Sequence, residues 1–159
     1  MINKVHIERF RGFHNVEFEL GSHLTIIAGQ NGTQKTVLLG IITQPFSISD
    51  IDSPMKNEAP LCGGNYKSQF SDKFKFSPKY DVAKSHEWTM YVDDLPPFTI
   101  ESINRDKESK SLRFWRKGNR DKGSGYLQYP VIFLSLKRLF PIGEDSNIRE
   151  SNSVVLSQE

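Results

Sequence analysis

The sequence is poor in the features that would narrow its class at once. One cysteine, Cys62, stands among 159 residues, so no internal disulfide is available and no oxidising compartment is implied. Charge of one sign is absent, since 21 Lys/Arg against 19 Asp/Glu leave a formal net charge of only +2. That balance identifies no partner by itself, and only the local distribution of charge can. The longest apolar stretches, LTIIAG and VIFLSL, are far too short to span a bilayer. The opening MINKVHIERFRG interleaves charges with apolar residues and lacks the continuous run of a secretory leader, so a cytoplasmic protein without membrane contact is expected. The four histidines, His6, His14, His23 and His86, show no ligand spacing. No metal is expected beyond one carried by a nucleotide.

What is present reads as one domain of the α/β class. Val5 and Ile7 alternate with His6 and Glu8, and Val16, Phe18 and Leu20 alternate with Glu17 and Glu19. That is the pattern of a half-buried hairpin turning at 11–15. Residues 24–28 form a short, nearly continuous apolar run, expected to be a strand covered on both faces. A glycine-containing loop follows, and then the helical stretch VLLGIIT, which stops before Gln44-Pro45. Residues 44–85 are rich in Ser, Asp, Lys and Pro and read as a long irregular insertion, with Phe70, Phe74 and Phe76 as its anchors. Strand character returns at 87–92, 98–103 and 112–115, which together suggest an antiparallel meander, and again at 131–136.

The loop between the buried strand and the helix carries the chemistry. Gly29, Gln30, Asn31, Gly32, Thr33, Gln34, Lys35 and Thr36 nearly match the phosphate-binding pattern G-x-x-x-x-G-K-[ST]. Such a loop turns successive backbone N–H groups inward around the β- and γ-phosphates, assisted by the positive end of the helix. Lys35 would set its ammonium on the β/γ oxygens, and the Thr36 hydroxyl would coordinate Mg²⁺. ATP and Mg²⁺ are therefore the expected cofactors. Gln34 departs from the pattern, standing where glycine usually precedes the lysine. Its side chain either constrains the loop or reaches a phosphate itself.

The segment KVHIERFRGFHNVEFEL followed by LTIIAGQNGTQKTVLLGII resembles the opening of SMC, RecF and related ATP-binding-cassette ATPases. FKFSPKYD and LSLKRLFPIGE look like the bacterial anti-phage branch, with its Septu-type and retron-associated ATPases. The resemblance implies a P-loop NTPase N-terminal lobe: a mixed sheet with the P-loop helix, an antiparallel β meander, and an incomplete cassette domain over 1–159. It implies that Arg11 lies beside the nucleotide, against the alternative of a solvated turn arginine. It also implies hydrolysis in a dimer or higher oligomer joined through the ATPase heads and including a C-terminal lobe, so residues 1–159 alone are expected to lack turnover.

Several cassette parts have no counterpart in the sequence. Ser135-Leu136-Lys137-Arg138 stands where the Q-loop glutamine is expected, with Gln128 as an outside candidate. No signature motif, Asp-Glu Walker B strand or switch histidine follows Arg138. WTMYVDD imitates a Walker B strand, but Asp93-Asp94 lead straight into Leu-Pro-Pro and read as a hairpin end.

Between Arg105 and Lys122 basic residues surround Phe114 and Trp115. Arg113, Arg116, Lys117 and Arg120 are the candidates for nucleic-acid contact, while the alternative is a solvated hairpin with inward-packed aromatics. The leading functional class is an ATPase of DNA metabolism or phage defence, with DNA or RNA and a nuclease as partners. The alternative is a nucleotide-sensing scaffold module that binds ATP and turns it over slowly or not at all. A small-molecule kinase would need a lid and a substrate site that the sequence does not offer.

Overall fold

The computed structural model describes residues 1–48, 53, 55–60, 66–67, 69–75, 77–105, 112–118 and 125–134. Strands β1 (Ile2–Phe10) and β2 (Phe13–Glu19) form the first hairpin, and α1 (Lys35–Thr43) and the short α2 (Phe70–Lys73) follow. Strands β3 (Glu87–Val92), β4 (Phe98–Asn104) and β5 (Leu112–Arg116) complete one sheet in the order β2-β1-β3-β4-β5. The meander is present, and every ladder among the described residues is antiparallel.

One register shift brings an aromatic into the core. Against β3, Ile7 faces Trp88 but Arg9 faces Glu87, so β1 carries one extra residue between them. Simple alternation from Val5 and Ile7 would send Phe10 to the outer face. The extra residue reverses the phase, and Phe10 is buried with them. Phe10 then meets Phe74 at 5.0 Å, Trp88 at 5.6 Å and Phe114 at 5.7 Å between ring centroids. Phe70 also lies against Phe74 and Phe114. Two of the three aromatic anchors expected in 44–85 therefore close over the sheet. Phe76 lies outside the described residues, and Phe74 follows a helical turn rather than standing in a strand. Each buried aromatic of this kind contributes roughly 1.5–3 kcal/mol.

Of the mixed sheet that the sequence predicts, the described residues form the antiparallel part. The α/β class holds, but residues 24–28 form no ladder, with Leu24 74% and Ile26 80% exposed. Only Ile27 packs on the core. Residues 131–134 behave alike: Val131 packs inward while Ile132 and Leu134 are exposed. Residues 135–136 lie outside the described set. Apolar runs of this kind become strands only where backbone partners flank them, and neither segment has such a partner among the described residues. One isolated parallel bridge, Phe46 to Leu127, is the sole parallel pairing described. Among the described residues no helix is long and apolar enough to cross a membrane.

Candidate functional site: a phosphate-binding loop and the arginine turn beside it

The loop of residues 29–36 leads directly into α1. Gly32 takes φ 83, a region open to glycine, and Gln34 takes φ 61 and ψ 22 as the residue preceding the helix. The Lys35 ammonium donates to the carbonyls of Gly29 at 2.8 Å and Gln30 at 2.6 Å, with the Thr33 hydroxyl at 3.5 Å. Thr33 in turn donates its hydroxyl to the Gln30 carbonyl at 2.7 Å. The lysine is thus folded over its own loop, and Asn31 and Thr36 are exposed on either side of it. No acidic residue stands in the first turn of α1. A cationic side chain, an exposed loop and a helix start without acidic residues fit a polyphosphate, and the exposed Thr36 fits the metal that accompanies one.

Arg11 belongs to the β1–β2 turn, whose two residues are Arg11 and Gly12. That turn touches the loop: the Gly12 N–H donates to the Gln34 side-chain carbonyl at 3.4 Å. A Cβ on Gly12 would stand 1.9 Å from Gln34 Nε2, so the glycine makes room for the amide. The Arg11 guanidinium is turned toward the segment preceding β3. Its Nε and Nη2 donate to the two Asp81 carboxylate oxygens at 3.4 and 3.1 Å, and Nη2 also reaches the Lys75 carbonyl at 2.7 Å.

Asp81 has a side chain with no exposed surface, and it is held from three directions. Besides Arg11, the Ser77 N–H donates at 2.7 Å and His86 Nε2 lies at 3.1 Å. Burial is the main cause that pulls the His86 pKa below its ordinary value; Asp81 opposes the shift and Arg11 adds to it. His86 Nδ1 lies 3.0 Å from the Ser85 hydroxyl, which donates to the Val82 carbonyl at 2.7 Å. A cleft of about 790 Å³ opens over this cluster, lined by Arg9, Arg11, His14, Lys75, Tyr80 and His86 among others. Asp81, His86 and Gly12 are absent from the sequence-derived candidates. Asp81 and His86 sit in a stretch without periodicity, and no spacing links either to Arg11.

Among the described residues of the basic stretch, Arg113 and Arg116 do not share one face. Arg113 pairs with Ile103 and Arg116 with the core residue Ile100, so the two arginines leave opposite faces of β5. Arg113 lies over Trp115, and Arg116 over Phe98. Lys117 shares Glu87 with Arg9 through ion pairs. Phe114 is fully buried, and Trp115 packs against Tyr126 and the Gly125 backbone. Arg120 lies outside the described residues, as do Cys62 and 135–138. Among the described residues no three His, Cys, Asp or Glu side chains gather as a metal site.

Asp93 stands at the opposite end of the sheet. The register pairs Ile2 with Val92, and the Asp93 N–H donates to the Met1 carbonyl at 2.9 Å while its carboxylate pairs with the N-terminal ammonium. Gly12 follows the other end of β1. At about 3.4 Å per residue the strand separates the two ends by about 27 Å.

A family model described as an AAA domain matches residues 4–151. No curated protein and no solved structure gives a match.

Proposed function

The chain belongs to the AAA-domain family, and from that premise we propose that residues 29–36 bind ATP–Mg²⁺. The observation that carries the reading is the placement of Lys35 and Thr36 at the start of α1, behind a glycine loop whose carbonyls the lysine already gathers. A triphosphate would take over the ammonium from those carbonyls, and the Thr36 hydroxyl would meet its Mg²⁺. Within that reading the chain is the ATP-binding portion of an SMC/RecF-like ATPase, hydrolysing ATP as a dimer in DNA metabolism or anti-phage defence. A nuclease is the partner class this implies.

The experiment is isothermal titration of ATP–Mg²⁺ into the wild-type protein and Lys35→Ala. Loss of a charge-assisted contact to phosphate is expected to weaken binding at least tenfold. Equal affinity in a folded variant would remove the loop from the site. A second reading, a sensing module with little turnover, draws support from Gln34. Its left-handed backbone and its amide on Gly12 brace the loop where a flexible glycine is usual. Steady-state phosphate release by the longer gene product separates the two readings.

A further inference from the structure

We infer that Asp81 is a positioning residue for Arg11, so that the segment between α1 and β3 sets where the arginine of the β1–β2 turn meets bound nucleotide. The inference rests on the proposal that residues 29–36 bind ATP. Arg11 has φ 53, an uncommon conformation for a side-chain-bearing residue, and it stands beside the Gly12 that contacts the loop. A strained arginine with a free side chain would sample many rotamers. This one is gripped side-on, with Nε and Nη2 on the two Asp81 oxygens and Nη2 also on the Lys75 carbonyl. Phe10 and Phe74 flank the guanidinium at 5.9 and 5.6 Å.

The grip uses one edge of the fork and leaves Nη1, with its two N–H donors, outside every described contact of Arg11. The side chain keeps 28% of its surface exposed and lines the cleft. The geometry therefore fixes the guanidinium and leaves one donor edge for a ligand atom.

Asp81 can do this because it is itself immobile. Its own N–H donates to Ser77 O at 2.8 Å, and Ser77 N–H returns to its carboxylate. The segment is pinned to β4 through Lys84 N–H to Ser102 O and Ser102 N–H to His86 O, and the Ser102 hydroxyl donates to Val82 O. A buried carboxylate this fully donated to is a rigid anchor, and a solvent-exposed ion pair would not be. The salt bridge thus does more than close the turn over the core: it fixes the guanidinium of the residue that precedes Gly12, whose N–H contacts the loop.

The test is a double-mutant cycle on the full-length protein, reading ATP–Mg²⁺ affinity by isothermal titration for wild type, Arg11→Ala, Asp81→Asn and the double variant, with Lys35→Ala as the blank. Arg11→Ala is expected to weaken binding about 10- to 100-fold, the loss of a hydrogen bond from a charged group. Asp81→Asn is expected to weaken it at least fivefold, and the double variant to bind as Arg11→Ala does, within about twofold. A purely structural role for Asp81 would lower the melting temperature and leave the affinity, and the effect of Arg11→Ala, unchanged. That outcome overturns the inference while the loop reading stands. If wild type and Lys35→Ala bind alike, both fall. Should Asp81→Asn fail to fold, the Arg11 Nε–H resonance of the wild-type protein decides. Slow exchange in the free protein and a shift on adding ATP–Mg²⁺ are expected. Fast exchange, or no shift at saturating ATP–Mg²⁺, overturns the inference.

Discussion

The side-chain amide of Gln34 rests on the bare backbone of Gly12, the two joined by a hydrogen bond of 3.4 Å across 22 residues of sequence. The phosphate-loop candidate and the arginine turn are thereby one unit. A Cβ on Gly12 would fall 1.9 Å from Gln34 Nε2. The obstacle is the far end of a flexible side chain, so Gly12→Ala is expected to displace the amide at a cost below about 1 kcal/mol, rather than break the fold. Its effect on ATP affinity should shrink in a Gln34→Gly background, where no amide remains to be displaced. Equal effects in both backgrounds would show that the contact carries no coupling.

Gln34 itself holds a left-handed backbone at φ 61 without capping the helix through its side chain. Such a conformation costs a non-glycine residue about 1 kcal/mol or more. Gln34→Gly removes that strain but also loses the Gly12 contact and loosens the unfolded chain. The expected net is a stability change within about 1 kcal/mol of zero, with ATP binding kept and turnover preserved or raised. Thermal melting and phosphate release on the full-length protein measure both. A collapse of ATP affinity would instead identify the Gln34 amide as a direct phosphate ligand.

The local elements were legible because their signals are local. The period-two alternation in β1 and β2, and the apolar run before Gln44-Pro45, need no distant partner to be read. The loop Gly29–Thr36 stands out as a candidate for the same reason, since its pattern lies in eight consecutive residues. Residues 24–28 and 131–134 misled because a strand is completed by its neighbours, and apolar composition says nothing of which neighbours come. Asp81 was invisible for a further reason. Its meaning arises only when the turn at Arg11, the Ser77 amide and His86 converge on it in space. Which face a basic residue of β5 takes was not legible from the composition of the stretch, and the strand sends residues 113 and 116 to opposite faces.

Gly40, in the middle of α1, inverts the usual helix preference. Replacing glycine by alanine inside a helix normally stabilises by about 1 kcal/mol. Here the added Cβ would stand 2.7 Å from Cε1 and Cζ of Phe74, a ring buried among Phe10, Phe70 and Phe114. Gly40→Ala is therefore expected to destabilise by roughly 1–3 kcal/mol through overpacking. Chemical denaturation gives the value, and a stabilised variant would show that Phe74 moves freely.

His86 makes stability depend on pH in one direction. Burial lowers its folded pKa below the ordinary 6.5, with Arg11 adding and Asp81 opposing. As pH falls through 6.5 the unfolded chain takes up a proton that the folded protein still refuses. The unfolded state then binds more protons, so stability is lost as pH falls below 6.5 and is flat with respect to this group above it. Melting temperatures of wild type and His86→Gln at pH 7.5 and 5.5 should show a smaller drop in the variant. An equal drop would assign the acid sensitivity to other groups.

The last prediction concerns Asp93 and Asp94, whose place after an apolar strand imitates the carboxylate pair that assists Mg²⁺ in phosphate-loop enzymes. The register argues against such a role. Val92 faces Ile2, whereas the residue that touches the loop, Gly12, lies beyond Phe10 at the opposite end of the same strand, about 27 Å away at 3.4 Å per residue. A carboxylate must come within direct or single-water reach of the metal to serve it. Asp93 is instead committed to the chain terminus, accepting the N-terminal ammonium while its N–H donates to the Met1 carbonyl. It also turns the β3–β4 hairpin at φ 31, a conformation that asparagine tolerates as readily as aspartate. Asp93→Asn should therefore keep the turn and lose a half-exposed ion pair worth at most about 1 kcal/mol. ATP–Mg²⁺ affinity should stay within about twofold of wild type. Titration of the variant beside Lys35→Ala makes the comparison. A tenfold loss of affinity with an unchanged melting temperature would place a carboxylate of this hairpin at the nucleotide, and would require a sheet register other than the one described.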